Sequence, residues 1–324
     1  MPIKNQAIIT RGACVTDHLV ELEGIEKRYG RFKAVNGVSM AVKPGEIFGF
    51  LGPNGAGKTT VIRILLDILQ PDRGRRQVLG AESALSVGDR IGYLPEERGL
   101  YKAMTPVNAI TYFARLKGMK AAHAKERARE LLERYGLSAV ADKPIKTFSK
   151  GMAQKVQVLS CVAHDPEVVI LDEPFSGLDP VNQQVLEELI CALRDAGRTV
   201  IFSTHVMQHA ERLCDRVIMI GRGETRFLGT VDEARARLPR RLRLTTDSTA
   251  SALPALPGLE KVAEADGHAT YETRLAAQQS VQQILKQCLD SGVDLSGFTV
   301  IEPTLHDVFV DLVGEDARQA RTAA

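Results

Sequence analysis

From His18 to about Leu228, short continuous apolar runs alternate with longer stretches in which apolar residues recur every three or four positions. The runs "EIFGFLG", "EVVILDE", "TVIFSTH" and "RVIMIG" are of strand length and end in polar residues. Strands of this kind are buried on both faces of a mostly parallel sheet flanked by helices, with polar residues along its C-terminal edge. Between Thr105 and Ala163 the pattern is helical throughout, in "TPVNAITYFARLKG" and "AHAKERARELLERYG", each closed by Gly or turn residues. This predicts a helical insertion over about 100–165 within a domain of 18–230. After about Thr230 the texture changes. An Arg-rich helix end, "EARARLPRRLRL", leads into a Pro/Ala/Leu loop and then strand, helix, strand and helix up to "PTLHDVFVDLVG". We read 231–314 as a small α+β domain, 315–324 as a polar tail and 1–17 as a loosely ordered N-terminal extension.

Composition changes this picture little. The 324 residues are 44% hydrophobic and 25% charged, as in an ordinary globular protein with room for two domains. No apolar run approaches the roughly 18 residues that a membrane-spanning helix needs, and "MPIKNQAIITRGACVTDH" carries no apolar core of secretory type. Cys14, Cys161, Cys191, Cys214 and Cys288 are odd in number and form no CxxC pair, which points to a reduced cytosolic chain without a zinc site. A formal charge of +2 gives no large basic surface, so no nucleic acid is expected as partner. The arginines at 235, 237, 240, 241 and 243 read as a solvated charge run, with lipid headgroups as the other reading.

The chemistry begins at "GPNGAGKTT". Gly52, Gly57, Lys58 and Thr59 satisfy G-x-x-x-x-G-K-[ST] between a strand and a helix. Glycines at these places let backbone N–H groups converge on a phosphate, with the helix N-terminus adding favourable field. Lys58 is then placed to neutralise β and γ oxygens and the Thr59 hydroxyl to ligate Mg²⁺. At the end of another strand, "VVILDEP" supplies Asp172 for a metal-bound water and Glu173 for an attacking water. His205 closes a third strand, on the same sheet edge, while His209 has no ligand set around it and reads as structural. One further stretch, "TFSKGMAQK", has the grammar of a second anion-binding helix start, with Ser149 as N-cap and Gly151 leaving the backbone uncovered.

Taken in order, Tyr29, "GPNGAGKTT", "GYLPEE", "FSKGM", "VVILDEP", "SGLDP" and "STH" resemble the nucleotide-binding domain of an ATP-binding cassette (ABC) transporter over roughly residues 18 to 230. The segment from 231 on is similar to the small C-terminal domain of ATP-binding subunits in bacterial ABC-2-type exporters, including the sodium-efflux and drug-export groups. The resemblance implies an α/β P-loop NTPase (RecA-like) core with an antiparallel β subdomain and a helical subdomain. It implies ATP and Mg²⁺ as cofactors, held by Pro53, Asn54, Gly55, Ala56 and Thr60 besides Gly52, Gly57, Lys58 and Thr59.

The resemblance also accounts for the second helix start. In this family the phosphate loop of one domain is covered by the signature helix of another, so Ser149 and Gly151 would bind the γ-phosphate of the partner's ATP. Phe148, Lys150 and Met152 depart from the LSGGQ consensus, and Lys150 would add positive charge near the phosphate. By the same resemblance Tyr29 would stack on adenine, Asp179 would make a contact across the dimer, and Glu96, where the family has Gln, would sense Mg²⁺. The implied function is the ATP-hydrolysing subunit of an exporter, with Glu173, His205 and Lys58 catalytic. Its partners would be a second copy, closing on ATP, and a separate multi-span permease at the cytoplasmic face of the plasma membrane. Two other readings stay open: an ABC protein acting on ribosomes or DNA, and a nucleotide-gated interaction module with little turnover. Because the nucleotide motifs end by His205, removal of the chain after about Leu228 is expected to leave nucleotide binding intact and to alter dimer stability or regulation.

Overall fold

The structure is a computed structural model that describes residues 18–97, 99–247, 253–265, 267–276 and 279–322, with side chains to 314. The N-terminal extension expected over 1–17 lies outside the described residues. The strands are β1 (Val20–Tyr29), β2 (Phe32–Val42), β3 (Ile47–Leu51), β4 (Arg73–Val78), β5 (Ile91–Leu94), β6 (Val168–Leu171), β7 (Thr199–Thr204), β8 (Arg216–Gly221), β9 (Glu224–Thr230), β10 (Arg241–Thr246), β11 (Glu260–Ala265), β12 (His268–Arg274) and β13 (Leu295–Ile301). The α-helices are α1 (Lys58–Leu65), α2 (Pro106–Leu116), α3 (Ala121–Arg134), α4 (Lys150–Val162), α5 (Pro180–Asp195), α6 (Met207–Leu213), α7 (Val231–Arg235), α8 (Val281–Asp290) and α9 (Leu305–Thr322). The chain forms two compact units. The first runs to Ile47 and includes Gly57–Phe202 and Arg222–Glu224; the second comprises Phe48–Ala56, Ser203–Gly221 and the chain from Thr225 on.

In the first unit an antiparallel sheet of order β2-β1-β4 buries Val20, Leu22 and Ile25 with Val38, Met40 and Val42. The β1–β2 hairpin closes where Tyr29 pairs with Phe32, and Gly30 between them has φ +59, a conformation that glycine adopts without steric cost. Strands β5, β6 and β7 are parallel neighbours. All four residues of β6 are fully buried, which explains its unbroken apolar run. Helices α2, α3 and α4 fill the predicted helical stretch. Thr105 caps α2 by accepting from the Asn108 N–H, with Pro106 in its first turn, and α3 buries Ala124, Ala128, Leu131 and Leu132 under an otherwise charged surface.

In the second unit β3 and β8 run parallel, with β9 beside β8. An antiparallel sheet of order β11-β12-β10-β13 packs Leu242 and Leu244 against Ile284 and Cys288 of α8. The Arg-rich run therefore ends in a strand, β10, in which buried leucines alternate with outward arginines. That is one more strand than the sequence pattern suggests. Strand β11 is also additional, because its six residues are all exposed and show no apolar period. The arginines are paired along the chain: Arg235 with Glu211 at 2.7 Å, Arg240 with Glu302 at 3.7 Å, and Arg241 and Arg243 with Glu272 at 3.2 and 2.7 Å. Arg237 lies over the Phe227 ring at 5.2 Å. Four of the five arginines thus have a carboxylate partner within the fold, in partly exposed ion pairs.

Helix α9 runs to Thr322, past the Gly314 after which the sequence reads as a tail, through residues of good helix propensity. Its Leu305 and Val308 are buried with Leu51, Met207, Ala210, Val217, Met219 and Phe227. Leu51 immediately precedes the phosphate loop, so loss of the chain after Leu228 uncovers the strand that carries this loop. The structure thus sets a packing cost at β3 against the expectation that such a truncation leaves nucleotide binding intact. We expect Leu305→Ala to destabilise this unit by about 2–5 kcal/mol through the cavity it leaves, read as a lower urea midpoint. An unchanged midpoint would show that α9 does not support β3.

Candidate functional site

The loop from Gly52 to Gly57 joins β3 to α1, and each of its framing glycines is dictated by space. A Cβ on Gly52 would stand 2.5 Å from the Ile220 carbonyl oxygen of β8. One on Gly57 would stand 2.5 Å from the Ala34 carbonyl oxygen, and its φ of +104 is a conformation that L side chains rarely adopt. Pro53, Asn54 and Gly55 are exposed at the tip, while Ala56 is buried and its N–H donates to the Pro53 carbonyl at 3.1 Å. No side chain caps α1, which begins at Lys58, so its first N–H groups point towards the space where an anion would sit.

Within the first unit four predicted residues meet. Lys58 and Glu173 are both buried, and their charged groups lie 3.1 Å apart. The Thr59 hydroxyl donates to the Asp172 carboxylate at 3.4 Å, and Asp172 itself is only 1% exposed. Strand β6 delivers both acids. The Asp172 N–H donates to the Leu94 carbonyl of β5 at 2.8 Å, and Glu173 then turns out of the sheet at φ +48. A non-glycine residue held in the left-handed region is a local strain that tends to mark functional sites. Burial and, secondarily, the nearby Asp172 charge push the Tyr93 phenol up to about 12, so Tyr93 stays neutral beside the carboxylate.

Ser149, Gly151 and Asp179 form another group, on α4 and α5. Ser149 is exposed and caps α4, accepting from the Met152 N–H at 3.3 Å. Gly151 is buried, and a Cβ there would come 2.5 Å from Asn182 Nδ2. Asp179 caps α5, accepting from the Asn182 backbone N–H at 3.0 Å and from its side-chain amide at 2.5 Å. Those bonds, the backbone one foremost, hold the Asp179 carboxyl below the usual range. Tyr29 is 51% exposed at the hairpin end of β1, Glu96 is exposed on the bend after β5, and His205 is exposed just beyond β7. His209 is buried at 4% exposure. Among residues that the motifs do not mark, Asn182 ties the two groups of α4 and α5 together; its spacing of three from Asp179 is the sequence signal for such a cap.

Residues 35–176 match the family described as ABC transporter, and residues 229–313 match the ATP-binding protein DrrA1-3-like, C-terminal domain. Over 298 residues, 91% of this chain and 99% of the relative, the chain is 35% identical to the uncharacterized ABC transporter ATP-binding protein YhaQ of Bacillus subtilis (strain 168). The chain belongs to the ABC transporter ATP-binding proteins. Other relatives of this ABC family are the linearmycin resistance ATP-binding protein LnrL of Bacillus subtilis (strain 168), 33% identical over 93% of this chain and all of that one, and the daunorubicin resistance ATP-binding protein DrrA3 of Streptomyces coeruleorubidus, 32% identical over 95% and 100%. A solved ATP binding subunit of an ABC transporter is 30% identical, with a TM-score of 0.62, over 68% of this chain and 92% of that chain. The P-loop NTPase fold, ATP binding and the character of an ABC ATPase follow from membership. Among the described residues no helix is long and apolar enough to cross a membrane.

Proposed function

We propose that this chain hydrolyses Mg-ATP and that two copies close on it to drive export through the permease. The gathering of Lys58, Thr59, Asp172 and Glu173 carries the reading. A buried carboxylate and a hydroxyl from a helix start suit Mg²⁺, which takes few protein ligands and completes its shell with phosphates and water. Bound there, the metal would neutralise charge on the β and γ oxygens. Lys58 would exchange Glu173 for phosphate oxygens, leaving that carboxylate to accept a proton from the attacking water. Tyr29 would stack on adenine, Glu96 would stand near the metal, His205 would support the γ-phosphate, and Ser149 and Gly151 of the second copy would cover it. Asp179 would add a contact across the dimer besides its local cap. Export is supported by the resistance functions in the names of relatives matched over their full length.

The test is phosphate release by the purified chain, with Lys58→Ala as control. We expect Lys58→Ala to lower turnover by at least about a hundredfold, as loss of a transition-state charge contact does. Turnover that survives Lys58→Ala would refute the hydrolytic role, and a chain that fractionates with ribosomes or DNA instead of membranes would refute the transport role.

A further inference from the structure

The signature position that departs furthest from the consensus in size is Lys150, which stands where the family carries glycine. Its side chain lies across Gly177. A Cβ built on Gly177 would overlap the Nζ and Cε of Lys150 and stand 3.3 Å from its Cδ. Gly177 also has φ +66, a conformation that favours glycine, and any side chain there would push aside the exposed tip of Lys150. One turn further along α4, the Gln154 amide donates to the Pro174 carbonyl at 3.2 Å. Between them Gly151 abuts Asn182, whose own bonds go to Asp179. The first turns of α4 therefore grip the segment from Pro174 to Asn182 at three places, and that segment starts directly after Glu173.

We propose that Lys150 is a positioning residue. By lying over Gly177 it fixes the segment between Glu173 and Asp179 against the start of α4, and so sets the acid of one site relative to the signature of the other. A long side chain loses rotamer freedom when it is held in this way, and the loss is offset only where the surface beneath it is closely fitted. Gly177 offers that surface because it has no Cβ. A phosphate-directed lysine would need its ammonium free of this contact. The inference rests on the ATPase reading above.

The test is a double-mutant cycle of Lys150→Ala and Gly177→Ala, with Lys150→Met added because it keeps most of the stem and drops the charge. We expect Lys150→Ala to lower kcat roughly tenfold with KM for Mg-ATP within about twofold, and Lys150→Met to stay near wild type. Gly177→Ala should lower kcat at least as far as Lys150→Ala does, since the new methyl displaces the lysine tip and the residue must hold a φ of +66. The double variant should lose no more activity than Gly177→Ala alone, because the contact with the lysine is already gone there. Melting temperatures of the four proteins should show the same coupling. Losses in kcat that simply multiply, together with additive melting shifts, would overturn the proposal. So would a Lys150→Met protein as impaired as Lys150→Ala with a raised KM, which would mark a direct charge contact with nucleotide. If the wild-type chain shows no turnover, it is the ATPase reading that fails, and the melting cycle still decides the contact.

Discussion

Glu173→Gln is expected to retain ATP, to lose turnover by at least about a hundredfold, and to accumulate as an ATP-bound dimer on size-exclusion chromatography. The substitution is nearly isosteric in a buried position, so the fold has little to accommodate. What it removes is a group able to take a proton. It also removes the negative partner 3.1 Å from Lys58, so the ammonium is released to phosphate oxygens and binding should tighten rather than weaken. Accumulation of the dimer follows from linkage. A ligand that contacts both faces of a closed pair favours closure by its differential affinity, and without hydrolysis nothing withdraws the γ-phosphate contacts. Normal hydrolysis by the variant would remove Glu173 from catalysis. A variant that binds nucleotide yet stays monomeric would separate catalysis from closure and overturn the second.

The cluster of Lys58, Thr59, Asp172 and Glu173 was legible because its parts are strand ends and a glycine loop, which sequence period and spacing mark directly. Lys58, Thr59, Asp172 and Glu173 come from β3–α1 and from β6, and the parallel pairing of β6 with β7 follows from runs without alternation, whereas the short β5 went unmarked. Contacts between side chains of different elements leave no such trace. The placement of Lys150 over Gly177, and of Asn182 against Gly151, depends on how α4 and α5 pack, which neither stretch encodes alone. The C-terminal region was legible only in part, for two reasons. In β10 only two leucines, between arginines and threonines, set the period, and in β11 nothing is buried, so pairing with β12 and not apolar patterning makes it a strand. The docking of Leu305 beside Leu51 joins residues about 250 positions apart, a distance over which local periodicity is silent.

Ser149→Asp mixed with Lys58→Ala is expected to recover activity that neither variant shows alone. The choice of Ser149 is set by the structure. Gly151 is buried against Asn182, so a side chain there would disturb the chain that carries it as well as any partner's phosphate. At Ser149 an aspartate still accepts the Met152 N–H, keeping the N-cap, while its charge repels a γ-phosphate brought to the exposed helix start. In a mixed pair one site unites both lesions and the other joins an intact loop to an intact signature. Random pairing then gives roughly a quarter of wild-type turnover if the sites act independently. If both sites must fire together there is no recovery, so a geometric measurement accompanies the kinetic one. With all five native cysteines replaced, one preparation carries Asn54→Cys and the other Ser149→Cys, which places each thiol at an exposed position on a different chain. Oxidation of the mixture with Mg-ATP should yield a species of twice the chain mass that is absent without nucleotide. Neither recovery nor that crosslink would mean that Ser149 does not complete a site on a second copy.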